Sequence, residues 1–239
     1  MKRFLPFLFL LIVFSPANAQ MYTADHYYKV GMQLKQDNKF SEALNEFSKA
    51  TSLNKKFDSA WFEMGNVYNL GGHTDLAIGS YKKAISLNPK YPKALVALAK
   101  IYRDAKPDFD SALYYYHAAA KLDSANKEIF YALAWTYNSR KEYDNAIVYA
   151  VKALEIDNKY KPAYGELGHA YNASKKYAEC VEQMKKNLAV SVVDVAYLYS
   201  GYAYLELKNK EAALQQYEEL KKVNEKMAAS LKKKIDATQ

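Results

Sequence analysis

The sequence predicts an all-α fold, a solenoid of about six helix-turn-helix repeats followed by a C-terminal capping helix. Three observations predict it. Gly31, Gly65, Ala99, Ala134, Gly168 and Gly201 recur at intervals of 34, 34, 35, 34 and 33 residues. Bulky residues keep step with them: Tyr27, Trp61, Leu95, Phe130, Tyr164 and Tyr197 four residues before, and Leu34, Tyr68, Tyr102, Tyr137, Tyr171 and Tyr204 three residues after. A second small series, Ala43, Ala77, Ala112, Ala146, Cys180 and Ala213, is followed four residues later by Phe47, Tyr81, Tyr116, Ala150, Met184 and Tyr217. Spacings of three and four place such residues on one helical face, and a fixed period near 34 marks a stacked repeat.

In chain order, residues 1–19 read as a signal peptide. Lys2 and Arg3 precede an apolar run from Phe4 to Phe14, and Ala17-Asn18-Ala19 fits a small-residue cleavage site. The run is about half the ~20 residues that span a bilayer. The mature chain is therefore expected to be exported, periplasmic or secreted, with no integral membrane span. After a short lead, 20–23, the copies occupy 24–57, 58–91, 92–126, 127–160, 161–193 and 194–227. Within each copy a first and a second helix are joined by turn residues such as Asp37-Asn38, Gly71-Gly72 and Lys106-Pro107. Ser41, Asp75, Asp110 and Asp144 stand where a side-chain oxygen would cap the second helix. Pro92 and Pro162 fall in a first turn, where a missing N–H does no harm. The third copy carries one extra residue near Pro107. Residues 224–239 hold Asn224 as a potential cap and Met227, Leu231 and Ile235 at intervals of four, the pattern of a capping helix and tail.

These motifs resemble the tetratricopeptide repeat family, whose pattern is W-x2-L-G-x2-Y, then A-x3-F, then P. Residues 58–91 match it most fully through Trp61, Met64, Gly65, Tyr68, Ala77, Tyr81, Ala84 and Pro89. The resemblance extends over about 24–227. It implies a right-handed superhelix whose first helices line a concave groove that holds a partner peptide. Copies five and six depart from it, with Cys180 in place of alanine and Asn187 and Leu220 in place of the later small residue.

The residue after each packing position of a first helix lies about 100° further round and forms a second stripe. On the family's plan this stripe faces the groove. It includes the recurring asparagines of Tyr68-Asn69, Tyr137-Asn138 and Tyr171-Asn172. The predicted partner-binding residues are Asn66, Asn69, Arg103, Tyr131, Trp135, Asn138, His169 and Asn172. A carboxamide offers a donor and an acceptor to a peptide backbone, and tryptophan and tyrosine are common interface anchors. The competing reading is structural: asparagine ends helices well, and some of these rings pack between repeats. The clamp by which some family members grip chaperone C-termini is not expected, because Tyr28, Met32, Glu63, Lys93 and Ala97 occupy its positions and only Lys93 agrees.

Other chemistry finds little support. The chain carries a formal charge of +8, or +6 without Lys2 and Arg3, spread mostly over lysines, with Arg3, Arg103 and Arg140 the only arginines. A scattered excess argues against nucleic-acid binding. One cysteine excludes an internal disulfide, and His26, His73, His117 and His169 have no i, i+4 partner of the metal-binding kind. Cys180 reads as a buried inert thiol. The expected function is a non-enzymatic scaffold, without cofactor or metal, that binds a protein or peptide partner. A structural part of an envelope complex, docked through repeat edges or the convex face, is the alternative.

Overall fold

The computed structural model describes residues 23–238, so the reading of 1–19 as a signal peptide lies outside the described residues. Among the described residues there are thirteen α-helices and no strand. The first helices are α1 (Ala24–Gln36), α3 (Asp58–Leu70), α5 (Pro92–Asp104), α7 (Lys127–Ser139), α9 (Lys161–Ala173) and α11 (Asp194–Glu206). The second helices are α2 (Phe40–Leu53), α4 (Thr74–Leu87), α6 (Phe109–Leu122), α8 (Tyr143–Ile156), α10 (Tyr177–Val190) and α12 (Lys210–Val223), and α13 (Glu225–Ala237) follows. No described helix is long and apolar enough to cross a membrane. The chain forms two compact units that divide after Ala94, within α5.

Most helix pairs close with one turn geometry. Asn38, Gly72, Lys141, Lys175 and Lys208 have φ between 57° and 74°. The next residue donates its N–H back to the packing residue of the first helix: Lys39 to Leu34, His73 to Tyr68, Glu142 to Tyr137, Lys176 to Tyr171 and Asn209 to Tyr204, at 2.8–3.0 Å. This left-handed residue with a six-to-one bond satisfies carbonyls that the helix end would leave open. The third copy differs. Its extra residue lengthens the connection, and Asp108 accepts from the Ser111 N–H at 3.0 Å as a true N-cap.

The expected caps are thereby corrected. Ser41, Asp75, Asp110 and Asp144 lie one position inside their helices, and the cap positions belong to Lys39, His73, Asp108 and Glu142. The cap residue, two positions earlier, is the one whose side chain is placed to accept from the N–H groups of the second and third helical residues. A carboxylate inside the first turn still complements the positive helix end. Asp110 and Asp144 serve neighbouring copies instead, pairing with Arg140 and with Lys176.

The small residues permit close contact. A Cβ on Gly31 or Gly65 would stand 2.7 or 2.6 Å from the ring of Phe47 or Tyr81, so only glycine lets α1 meet α2 and α3 meet α4 this closely. The first unit centres on Ala43, Phe47, Met64 and Val67. In the second unit α13 lays Ala228, Leu231 and Ile235 against Leu205, Ala213 and Leu220. Asn224 caps α13 through the Met227 N–H at 3.1 Å. Its amide also reaches the Asp194 carboxylate, at 2.7 Å.

Candidate functional site

The structure answers what two of the asparagines do. Asn138, at the end of α7, donates from Nδ2 to the backbone oxygen of Glu166 at 3.0 Å and to its carboxylate at 2.8 Å. The residues are 28 apart, so the bond ties the end of one first helix to the middle of the next. Lys35 and Glu63 repeat this link with the same separation. Asn66 completes the earlier one: Nδ2 donates to Glu63 at 3.0 Å, and Oδ1 accepts from the Tyr81 hydroxyl at 2.8 Å. Asn66 thus holds a buried carboxylate in place and Asn138 a half-buried one. Glu63 is only 8 % exposed, and an unpaired charge at such a site would be costly.

The equivalent positions elsewhere are differently occupied. Asn69 and Asn172 are exposed, and the residues 28 and 27 further on are Ala97 and Tyr199, neither of which offers a carboxylate. At the third such position Arg103 forms a two-point ion pair with Asp104 (2.6 and 2.9 Å) and lies over Trp135, 4.5 Å from the ring centroid. Arg103 also sits 5.8 Å from the Tyr116 ring. Burial pushes the Tyr116 phenol up to about 12.

In the second unit these groups surround an open concavity of about 630 Å³ lined by Trp135, Asn138, Tyr143, Gly165, Glu166 and His169, among others. Trp135 is half-buried and His169 exposed, its ring 6.1 Å from that of Tyr143. Burial raises the Glu166 carboxyl above the usual carboxylate range, and the Asn138 bond with nearby His169 and Arg103 draws it partly back. Tyr131 stands half-buried, edge-on to Tyr160 at 5.8 Å. The concavity therefore offers an aromatic face, amide and imidazole groups, the Glu166 carboxylate and the Lys141 ammonium.

His169 also lines a smaller cavity of about 290 Å³ with Asn172 and residues of α10, α11 and α13. Cys180 is in its lining but only 3 % exposed, and burial pushes its thiol up to about 12, so it is protonated at neutral pH. Among the described residues no group of three His, Cys, Asp or Glu side chains is placed to hold a metal ion.

Of the predicted residues, Trp135, Asn138, His169 and Asn172 line these two cavities, and Arg103 lies over Trp135 with Tyr131 close by. Asn66 and Asn69 belong to the first unit. Sequence reasoning missed Glu63, Glu166, Tyr199 and Lys234. The first two had a signal: a glutamate two residues before the packing glycine, facing a lysine or asparagine 28 residues earlier.

Family models described as TPR repeat or tetratricopeptide repeat match residues 65–104, 127–160 and 195–224. No curated protein sequence matches the chain. Among solved structures, MamA is similar with a TM-score of 0.62 at 20% identity, covering 84% of this chain and 95% of its own. YrrB, described as a TPR protein with an unusual peptide-binding site, gives 0.61 at 20% identity over 78% of this chain and 97% of its own. PilW, described as a widely conserved type IV pilus biogenesis factor, gives 0.58 at 16% identity over 84% and 93%.

Proposed function

The chain is a tetratricopeptide repeat protein, and from that premise we propose that it is a non-enzymatic scaffold that holds an extended partner segment against the first-helix stripe of its second unit. The observation that carries this reading is the concavity built from Trp135, Asn138, Glu166 and His169. Its half-buried indole and exposed imidazole supply an anchor and a polar rim, the division found at protein interfaces. YrrB shows that this fold accommodates a peptide-binding site. The positive start, apolar run and small-residue site at the N-terminus support export to the periplasm or beyond.

A pull-down with the mature chain from the native envelope fraction tests the groove. Trp135→Ala/His169→Ala/Asn172→Ala is the informative variant, because Asn138→Ala would also break the tie to Glu166. The expected result is an unchanged melting temperature and loss of the principal partner. An unchanged partner set refutes the groove assignment.

One observation favours a second reading, an assembly component docked outside the groove. In the second unit each second helix ends on an exposed aliphatic residue: Leu122, Ile156, Val190 and Val223, 41 %, 39 %, 75 % and 48 % exposed. Such a row suits a permanent contact, and PilW, named for pilus biogenesis, shares the fold. In the same pull-down, Ile156→Asp/Val190→Asp would then be the variant that loses the partner.

A further inference from the structure

Gly168 in α9 is covered from an unexpected direction. The glycines of copies one and two, Gly31 and Gly65, lie under Phe47 and Tyr81 of the same copy's second helix. Over Gly168 the ring is Tyr199 of α11, so close that no Cβ would fit. The corresponding residue of α10, Met184, is fully buried. Tyr199 stands where the preceding copies carry Lys29, Glu63, Ala97, Ala132 and Glu166. Gly201 is covered from the following helix too, by Leu231 of α13, but at Gly168 the cover is an aromatic ring. Beside it opens the cavity of about 290 Å³, lined by Tyr177, Tyr199 and Tyr202, with Cys180, His169 and Lys234.

We propose that this cavity takes one aromatic side chain from an acidic segment of the partner. The inference rests on the groove reading above and deepens it. Its volume is at the lower end of the roughly 300–1,000 Å³ of small-molecule sites, which suits a single large side chain. Its walls are rings: Tyr199 and Tyr202 already meet edge to face with centroids 6.3 Å apart. A third ring entering between tyrosines gains the offset or edge contacts that aromatic pairs prefer.

The charge of the occupant follows from the lining, which includes Lys234 and His169 and no carboxylate. The Lys234 ammonium lies over the Tyr202 ring, 4.8 Å from its centroid. Among the described residues its ion-pair partner is Glu206, at 3.5 Å, and the Lys234 side chain remains 45 % exposed. A carboxylate two residues from the inserted ring would complete that pairing. In an extended segment successive side chains point to opposite sides and those two apart share a side, so a residue two places from the ring faces the exposed lysine as the ring enters. His169 lines both cavities, which makes the surface continuous from Trp135 to the tyrosines.

Fluorescence anisotropy of the full chain with three fluorescein-labelled peptides tests the inference. One carries a Glu-Ser-Phe-Ser-Glu core, in the second alanine replaces the phenylalanine, and in the third lysine replaces both glutamates. The first is expected to bind at least about tenfold more tightly than the other two, the usual loss when an interface anchor is truncated. Lys234→Glu, at an exposed site, should erase the preference for the glutamate peptide over the lysine peptide. Ala203→Leu, which fills the cavity, should weaken the first peptide, with a melting curve to verify folding. Equal binding of the phenylalanine and alanine peptides overturns the inference. If that binding is still lost in Trp135→Ala, the groove reading survives and the cavity alone is refuted. No binding by any peptide also overturns the inference, and the pull-down then judges the groove separately.

Discussion

Glu166 and Asp194 are two carboxylates that accept from asparagine, and their surroundings drive them in opposite directions. Burial alone would raise Asp194, which is 7 % exposed, but the Asn224 amide, the Lys161 ammonium and the Val195 N–H outweigh it, and the net shift is downward. At Glu166 burial dominates and the net shift is upward. A lowered pKa contributes stability that is present above the unfolded value, about 3.9 for aspartate, and is lost as pH falls through the folded value. A raised pKa does the reverse: its contribution is complete below the unfolded value, about 4.3 for glutamate, and is lost as pH rises through the folded one. Asp194→Asn should therefore lower stability at pH 7 by about 2 kcal/mol, the scale of hydrogen bonds to a charged group, and the deficit should close toward pH 3. Glu166→Gln should be more stable than the parent at pH 7, with an advantage that vanishes over the same descent. Urea midpoints at the two pH values measure both. Changes of the same sign at neutral pH would contradict this account of the two sites.

At the scale of the element, the turns show why some features were legible and others were not. Gly72 and Asn38 announce a left-handed residue, because glycine and asparagine tolerate positive φ. Lys141, Lys175 and Lys208 adopt the same conformation without any sequence cue. There the six-to-one bond and the packing of the tyrosine that accepts it override local preference. The caps were misplaced for a related reason. An acidic residue in a first turn looks alike at the cap and two positions later, and only the fixed turn length decides between them. The strain at the lysines is testable. A left-handed L-residue costs about 1–2 kcal/mol, of which glycine's greater unfolded freedom returns roughly 0.5–1. Lys141→Gly/Lys175→Gly/Lys208→Gly should accordingly add roughly 1.5–3 kcal/mol over the three sites. Thermal melting should show a rise of about 3–12 °C for a chain of this size. A fall would mean that the lysine side chains contribute more than their backbone costs.

Across the whole molecule, the 34-residue period was legible because every copy restates it, so substitutions such as Cys180 or Leu220 could not hide it. The site was only partly legible. Periodicity assigns residues to a face, which is how Trp135, Asn138, His169 and Asn172 came to be named together. It cannot show that Asn138 is tied to Glu166, or that Tyr199 crosses from one copy to cover Gly168 of another, because those links join copies at positions where the copies differ. The same copy-to-copy dependence governs stability. In a repeat array each copy is stabilised by its neighbours, so damage should spread from its origin and fade with distance. Leu231 of α13 is fully buried, and a Cβ on Gly201 would stand 2.5 Å from it, so it seals the face of copy six. Leu231→Ala should cost about 2–5 kcal/mol, the range for a buried leucine. Native-state hydrogen exchange should show faster exchange in α11, α12 and α13, with α1 to α4 keeping their protection. Equal loss of protection along the entire chain would instead make folding a single all-or-none event, and α13 would then be a keystone for every copy rather than a seal on the last.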